Sequence, residues 1–160
     1  MTDRPAKTLL DPALHKDSCG FGLIANLDDL PSHWVIETAI EALARLTHRG
    51  AVAADGKTGD GCGLLIKFPE SFLRAVGEDC GFVLNKRFAA GTVFLSQDKA
   101  TSDAARAAIA TAIGEYGLDV VGWREVPVEP SACGAQALAT LPKIEQVFVN
   151  APNGMARGSF

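Results

Sequence analysis

The chain has 160 residues, 48% of them apolar and 21% charged, with a formal net charge of −4. That length suits one domain, or a piece of a larger one, with a genuine core, and the composition excludes a disordered chain. The acidic balance argues against sequence-independent nucleic-acid binding, which needs a basic surface to replace phosphate counterions.

Met1 to Lys7 is polar, and only two leucines precede Asp11-Pro12, so the start lacks the apolar core of a secretory signal. No stretch approaches the length of a membrane span. The expected compartment is the cytoplasm, and the expected partners are small substrates or other proteins rather than nucleic acid or membrane. Cys19, Cys62, Cys80 and Cys133 are irregularly spaced, without Cys-x-x-Cys and without His at ligand spacing, so no metal site is read. A reducing compartment makes disulfides an unfavoured use for them.

Residues 1–18 are polar and carry Pro5 and Pro12, and they read as a leader. Gly20 to Leu27 is expected as a strand, bounded by Asp28-Asp29-Leu30-Pro31. Ser32 is a candidate N-cap for a helix whose apolar face is Val35, Ile36, Ala39, Ile40, Leu43 and Leu46, ending near His48 with Gly50 beyond it. From Gly50 to Gly63 five glycines, with Asp55 and Asp60 among them, make a loop that reads equally as a flexible connection or as the lining of a site.

Gly63 to Phe68 is expected as a buried strand, followed by a short helix opening at Pro69. Cys80 to Phe88 is ambiguous. Thr92 to Leu95 is a strand, and a long helix capped by Thr101, Ser102 or Asp103 runs to Gly117. Leu118 to Val128 is a strand weakened by Gly122 and Pro127, a small-residue connection covers Glu129 to Thr140, and Ile144 to Val149 is the last strand. The sum is an α+β protein with helices laid on a sheet, of strand direction that periodicity leaves open.

Cys19 stands out in Asp17-Ser18-Cys19-Gly20-Phe21-Gly22. Taken alone it reads first as a packing cysteine. Were the residues ahead of it removed, however, it would carry a nucleophilic thiol together with a free α-amine of pKa about 7.7–8.0, suited to a general base.

That segment, together with Leu46-Thr47-His48-Arg49-Gly50-Ala51 and Asp55-Gly56-Lys57-Thr58-Gly59-Asp60-Gly61-Cys62-Gly63, resembles the start of glutamate synthase large subunits. The likeness continues through Val121-Gly122-Trp123-Arg124 and Pro142 to Pro152. The resemblance implies a class II glutamine amidotransferase domain of the N-terminal-nucleophile hydrolase type, an αββα sandwich of which this chain would hold the first part. It assigns residues 1–18 to a removed propeptide and 19–160 to a partial amidotransferase domain, with Cys19 as nucleophile and L-glutamine as substrate. Arg49, Gly50 and Asp60 become substrate-binding or site-supporting residues.

Each has a plainer reading. Arg49 reads equally as a residue answering carbonyls at a helix C-terminus. His48 reads as capping or structural, and Asp60 as an Asx-turn. Cys62 is expected to be a small buried residue, while Trp34 and Trp123 are expected to be core or edge aromatics.

The family's glutamine-gripping arginine and aspartate, and its Asn-Gly oxyanion donors, are not found before Phe160. The competing reading is therefore an inactive truncated remnant or a subunit-interaction module. By the resemblance, the full enzyme uses FMN, a 3Fe-4S cluster and NADPH, with FAD in its small partner subunit, none of them bound by this segment. The remainder of the large subunit and that small subunit are the implied partners.

Overall fold

The computed structural model describes residues 20–46, 50–59 and 61–152, and the chain divides into two compact units. Each is taken by itself.

The first unit covers the described residues up to Ala51 together with 59–64. Its only α-helix among the described residues is α1 (His33–Ala44). Asn26 organises the turn ahead of it, its side-chain carbonyl accepting from Asp28 N at 3.2 Å and its amide donating to Leu30 O at 3.1 Å. Ser32 is the N-cap by backbone, in extended conformation, but its hydroxyl makes no capping bond. The predicted face is half-buried at Val35, Ile36, Ala39, Leu43 and Leu46, whereas Ile40 is exposed.

The strand expected over Gly20 to Leu27 does not form, and neither does the one over Gly63 to Phe68; both stretches are irregular. Phe21 is 94% exposed and Leu65 100%. A β-pattern expresses fit to a pleated, half-buried surface, and it is realised only where a neighbouring strand completes the ladder. Among the described residues neither stretch has one. Cys62, expected to be buried, is exposed for the same reason, since residues 61–66 have no regular structure.

The second unit holds α2 (Glu70–Asp79), β1 (Phe88–Leu95), α3 (Lys99–Glu115), β2 (Asp119–Glu125), a 3-10 turn (Pro130–Ala132), α4 (Ala135–Ala139) and β3 (Lys143–Asn150). The strands form one sheet in the order β1-β3-β2. Both pairings are antiparallel, with Phe88 opposite Asn150 and Leu95 opposite Lys143 on one side of β3. On the other side Asp119 lies opposite Asn150 and Glu125 opposite Glu145, with a register shift between Val120 and Gly122.

As the central strand, β3 contributes Val147, Phe148, Val149 and Asn150 to the buried residues. Alternation along a strand sends successive side chains to opposite faces. On one face Phe148, fully buried, packs with Leu73 and Val76 of α2 and with Phe82, Leu84 and Phe88. On the other, Glu145 meets Arg106 of α3. The sheet is thus covered by α2 on one side and α3 on the other.

Local signals account for the ends of these helices. α3 starts earlier than expected because Asp98, rather than Thr101 to Asp103, is the N-cap, its carboxylate accepting from Thr101 N and Thr101 Oγ1 at 2.7 Å each. It stops at Gly117, whose φ of 70° is left-handed backbone that glycine adopts without a Cβ penalty. α2 begins one residue later than expected, with Pro69 as its N-cap. α4 lies inside the segment expected to be a connection.

Candidate functional site

Of the four residues singled out for the site, Cys19, Arg49 and Asp60 lie outside the described residues, as does His48. Gly50 is exposed, in irregular structure. What the structure resolves in detail is the first half of the glycine loop, from Val52 to Thr58, which belongs to the second unit.

This half is a hydrogen-bonded turn. Ala53 N donates to Thr58 O at 2.7 Å and Gly56 N to Ala53 O at 3.0 Å, with Gly56 at φ 69°. Asp55 fills the turn from within. Its Oδ1 accepts from Lys57 N at 3.0 Å and Thr58 N at 2.7 Å, and its Oδ2 accepts from Thr58 Oγ1 at 2.6 Å. Asp55 thus forms an Asx-turn, whereas the one expected at Asp60 lies outside the described residues.

The turn is docked on a distant segment. Gln136 N donates to Asp55 Oδ2 at 3.3 Å, and Ala137 N donates to Thr58 Oγ1 at 3.3 Å. Asp55 and Thr58 therefore answer backbone amides in the first turn of α4 that no residue of its own connection answers. The approach is possible because residue 134 is glycine. A Cβ there would overlap Thr58 Oγ1 and Asp55 Oδ2 and stand 2.5 Å from Thr58 N.

Four donors on one carboxylate define its chemistry. Hydrogen bonds from the Thr58 hydroxyl, then the Thr58 and Lys57 amides, hold the Asp55 carboxyl far below the usual carboxylate range. With both oxygens occupied, Asp55 is an ionised structural acceptor and has no proton to exchange with a substrate. Among the described residues no cluster of His, Cys, Asp and Glu could hold a metal ion. Among them also, no helix is long and apolar enough to cross a membrane.

Asp55, Thr58 and Gly134 were absent from the residues singled out in sequence. The Asp-x-x-Thr spacing of a side-chain-filled turn was readable. The contact with Gly134 was not, because nothing periodic connects two loops so far apart in the chain.

By its described architecture the protein is of the α+β class, with an antiparallel sheet between helices. The family model for class-II glutamine amidotransferases matches residues 19–160, and the chain belongs to that family, of the N-terminal-nucleophile hydrolase kind. It is 38% identical over 152 residues to the glutamate synthase [NADPH] large chain of Azospirillum brasilense, covering 94% of this chain and 10% of that one. Against the ferredoxin-dependent glutamate synthase 1 of Arabidopsis thaliana it is 38% identical over 149 residues, 91% of this chain and 9% of the relative. Against the ferredoxin-dependent glutamate synthase 2 of Synechocystis the identity is 38% over 143 residues, 88% and 9%. The chain thus spans about a tenth of the length of these curated relatives.

Proposed function

We propose that this chain carries the nucleophile-bearing part of a glutaminase that supplies ammonia for glutamate synthesis. What supports the reading above all is that the family match opens at residue 19, which is Cys19. Residues 1–18 are then a leader whose removal frees the α-amine, and 19–160 are amidotransferase domain of the αββα type.

In the proposed reaction the Cys19 thiol passes its proton to the α-amine, and the sulfur adds to the side-chain amide carbon of glutamine. The C–N bond breaks, and the departing nitrogen takes up that proton to leave as ammonia. Water adds to the γ-glutamyl thioester, the C–S bond breaks, and glutamate and the thiol are released. Arg49, Gly50 and Asp60 support this site. The electron donor and cofactors of the parent reaction, whether NADPH with FMN and an iron–sulfur cluster or ferredoxin, belong to the rest of the large subunit and to a partner. The cytoplasm fits this assignment.

The test is intact mass with N-terminal sequencing, followed by treatment with an electrophilic glutamine analogue. The expected result is a chain beginning at Cys19 and labelled there, with Cys19→Ala abolishing the label. Retention of residues 1–18, or label confined to Cys62, Cys80 or Cys133, would overturn the proposal.

A further inference from the structure

The two edges of the three-stranded sheet are not equivalent. β2 is blunted: its register shifts between Val120 and Gly122, and it carries Asp119, Arg124 and Glu125. Irregular register and charge are what keep an edge from pairing with another strand. β1 has neither. Its ladder with β3 runs unbroken from Phe88 to Leu95, and none of its residues is charged or proline. Among the described residues no strand pairs with its outer side.

The phase of the ladder shows which groups that edge offers. Ala151 N donates to Arg87 O at 3.0 Å, in the register that sets Phe88 opposite Asn150, so Arg87 is one of the residues whose backbone faces β3. Alternation then turns the N–H and C=O of Phe88, Ala90, Thr92 and Phe94 outward. The side chains of these residues share the face on which Phe88 and Ala90 pack against the Phe148 cluster. Phe94, which has no place in that cluster, is 68% exposed. At the opposite end of the strand Phe88 lies beside Phe68, itself 50% exposed, with ring centroids 5.4 Å apart.

We propose that the β1 edge pairs antiparallel with the β1 edge of a second copy of this chain, about a two-fold axis at Gly91. This register alone engages every outward group, setting Phe88 opposite Phe94 of the second copy and Ala90 opposite its Thr92, each pair exchanging both backbone bonds. It brings the exposed Phe94 ring against Phe88 and Phe68, a cross-strand aromatic contact at each end of the interface. It sets no like charges opposite one another, since Arg87 falls opposite Leu95 and Lys86 opposite Ser96. Pairing uses both β1 edges and leaves only the blunted β2 edges, so assembly closes at the dimer.

The test is sedimentation equilibrium of the full chain over a concentration series, with hydrogen exchange at the Ala90 and Thr92 amides, and with the amide shifts of β2 and β3 as a check on the fold. The expected result is a monomer–dimer equilibrium in which those two amides gain protection with concentration. Thr92→Pro removes an outward N–H and spares the ladder with β3, while Thr92→Lys places a charge on the edge. Each should raise the dissociation constant about 10-fold to 100-fold with the sheet shifts unchanged, as for loss of one hydrogen bond in each copy. If Thr92→Pro disturbs the sheet, Thr92→Lys and the cysteine variants below decide.

Gly91→Cys reads the register directly. A Cβ at Gly91 meets only Val147 Cγ1, at an ordinary 3.8 Å. Opposed residues of a non-hydrogen-bonded pair stand about 4.5 Å apart at Cα, within disulfide reach. Oxidised Gly91→Cys should therefore give a covalent dimer whose digest contains the 91–91 link, whereas Ala89→Cys, displaced from its counterpart by about 13 Å along the strand, should not link to itself. A monomer at every concentration, a dimer indifferent to the Thr92 variants, or linkage at 89 in place of 91 would overturn the proposal. Protection of Ala90 and Thr92 that ignores concentration would overturn it too, because another segment of the same chain would then occupy the edge.

Discussion

Arg106 of α3 reaches through its guanidinium to both oxygens of Glu145 on the central strand, with Nε at 2.7 Å from Oε2 and Nη2 on Oε1. Lys143 Nζ stands 2.9 Å from the same carboxylate, which is 2% exposed. This is the charged contact that fixes α3 on its face of the sheet. Removing one member of a buried pair leaves the other charge uncompensated, at a cost of about 3–5 kcal/mol. Arg106 and Lys143 keep partial access to solvent, so Glu145→Gln is expected near the lower end, about 3 kcal/mol. With a urea slope of about 2 kcal/mol/M, the unfolding midpoint should fall by roughly 1.5 M. The double variant Arg106→Met/Glu145→Leu should recover most of that loss, because it removes both desolvated charges.

Stability should be flat through neutral pH and fall only in acid. Burial pushes the Glu145 carboxyl up, but the hydrogen bonds and charges of Arg106 and Lys143 outweigh it and hold it below its ordinary value. The hydroxyl of Thr101 lowers Asp98, the ammonium of Lys99 lowers Asp103, and the hydroxyl of Ser131 lowers Glu129. Asp55 is lowered by Thr58. A carboxyl whose folded pKa lies below its unfolded value, about 3.9 for Asp and 4.3 for Glu, stabilises fully above that value. Its contribution is lost as pH falls through the folded pKa. The urea midpoint should therefore be constant from pH 7 to about 5 and drop steeply below about 4, with Glu145→Gln showing a shallower drop.

The elements that were legible in sequence are those whose signal is local and whose neighbours complete it. β3 showed as alternation over Ile144 to Val149, and α3 as a 3.6-residue pattern closed by Gly117. Gly20 to Leu27 carries an equally good strand pattern, but a pattern cannot supply the partner strand, and the segment is irregular. α4 escaped because five residues are too few to show a period. The site divides in the same way. Asp55 and Thr58 announce a turn by spacing alone, while the docking of that turn on Gly134 leaves no trace in either local sequence.

Gly122 was read as a weak point of β2, and the structure supplies its purpose. A Cβ at that position would stand 2.5 Å from Cζ and 3.0 Å from Cδ1 of Phe82. Phe82 in turn packs on Phe148, with ring centroids 5.5 Å apart. Gly122→Ala is expected to cost about 1–3 kcal/mol by overpacking, seen as a lower urea midpoint with an unchanged slope. Phe82→Leu in the same chain should relieve part of the strain, so the pair should be less destabilising than the sum of its members. Strict additivity would show that Phe82 is not what Gly122 accommodates.

Asn150 closes β3 by holding the segment before β1. Its Oδ1 accepts from Asn85 N and its Nδ2 donates to Val83 O, each at 2.9 Å. Asn85 returns a bond from Nδ2 to Ala151 O at 2.9 Å. Asn150 is 9% exposed, so Asn150→Ala strands a donor and an acceptor and should cost about 2–4 kcal/mol, taking 1–2 for each. Asn150→Asp separates the two halves of this brace. A carboxylate keeps the bond from Asn85 N but faces the Val83 carbonyl with a lone pair, whereas the protonated acid can donate to it. Burial and that carbonyl raise the folded pKa of the new group above its unfolded value of about 3.9, so the folded state binds the proton more tightly. Asn150→Asp should therefore be weaker than the unsubstituted chain at pH 7, with the gap narrowing as pH falls through the folded pKa toward about 4. Urea midpoints of the two chains measured in parallel between pH 7 and 4 decide it, and a gap that stays constant would mean that the Val83 carbonyl does not depend on the Asn150 donor.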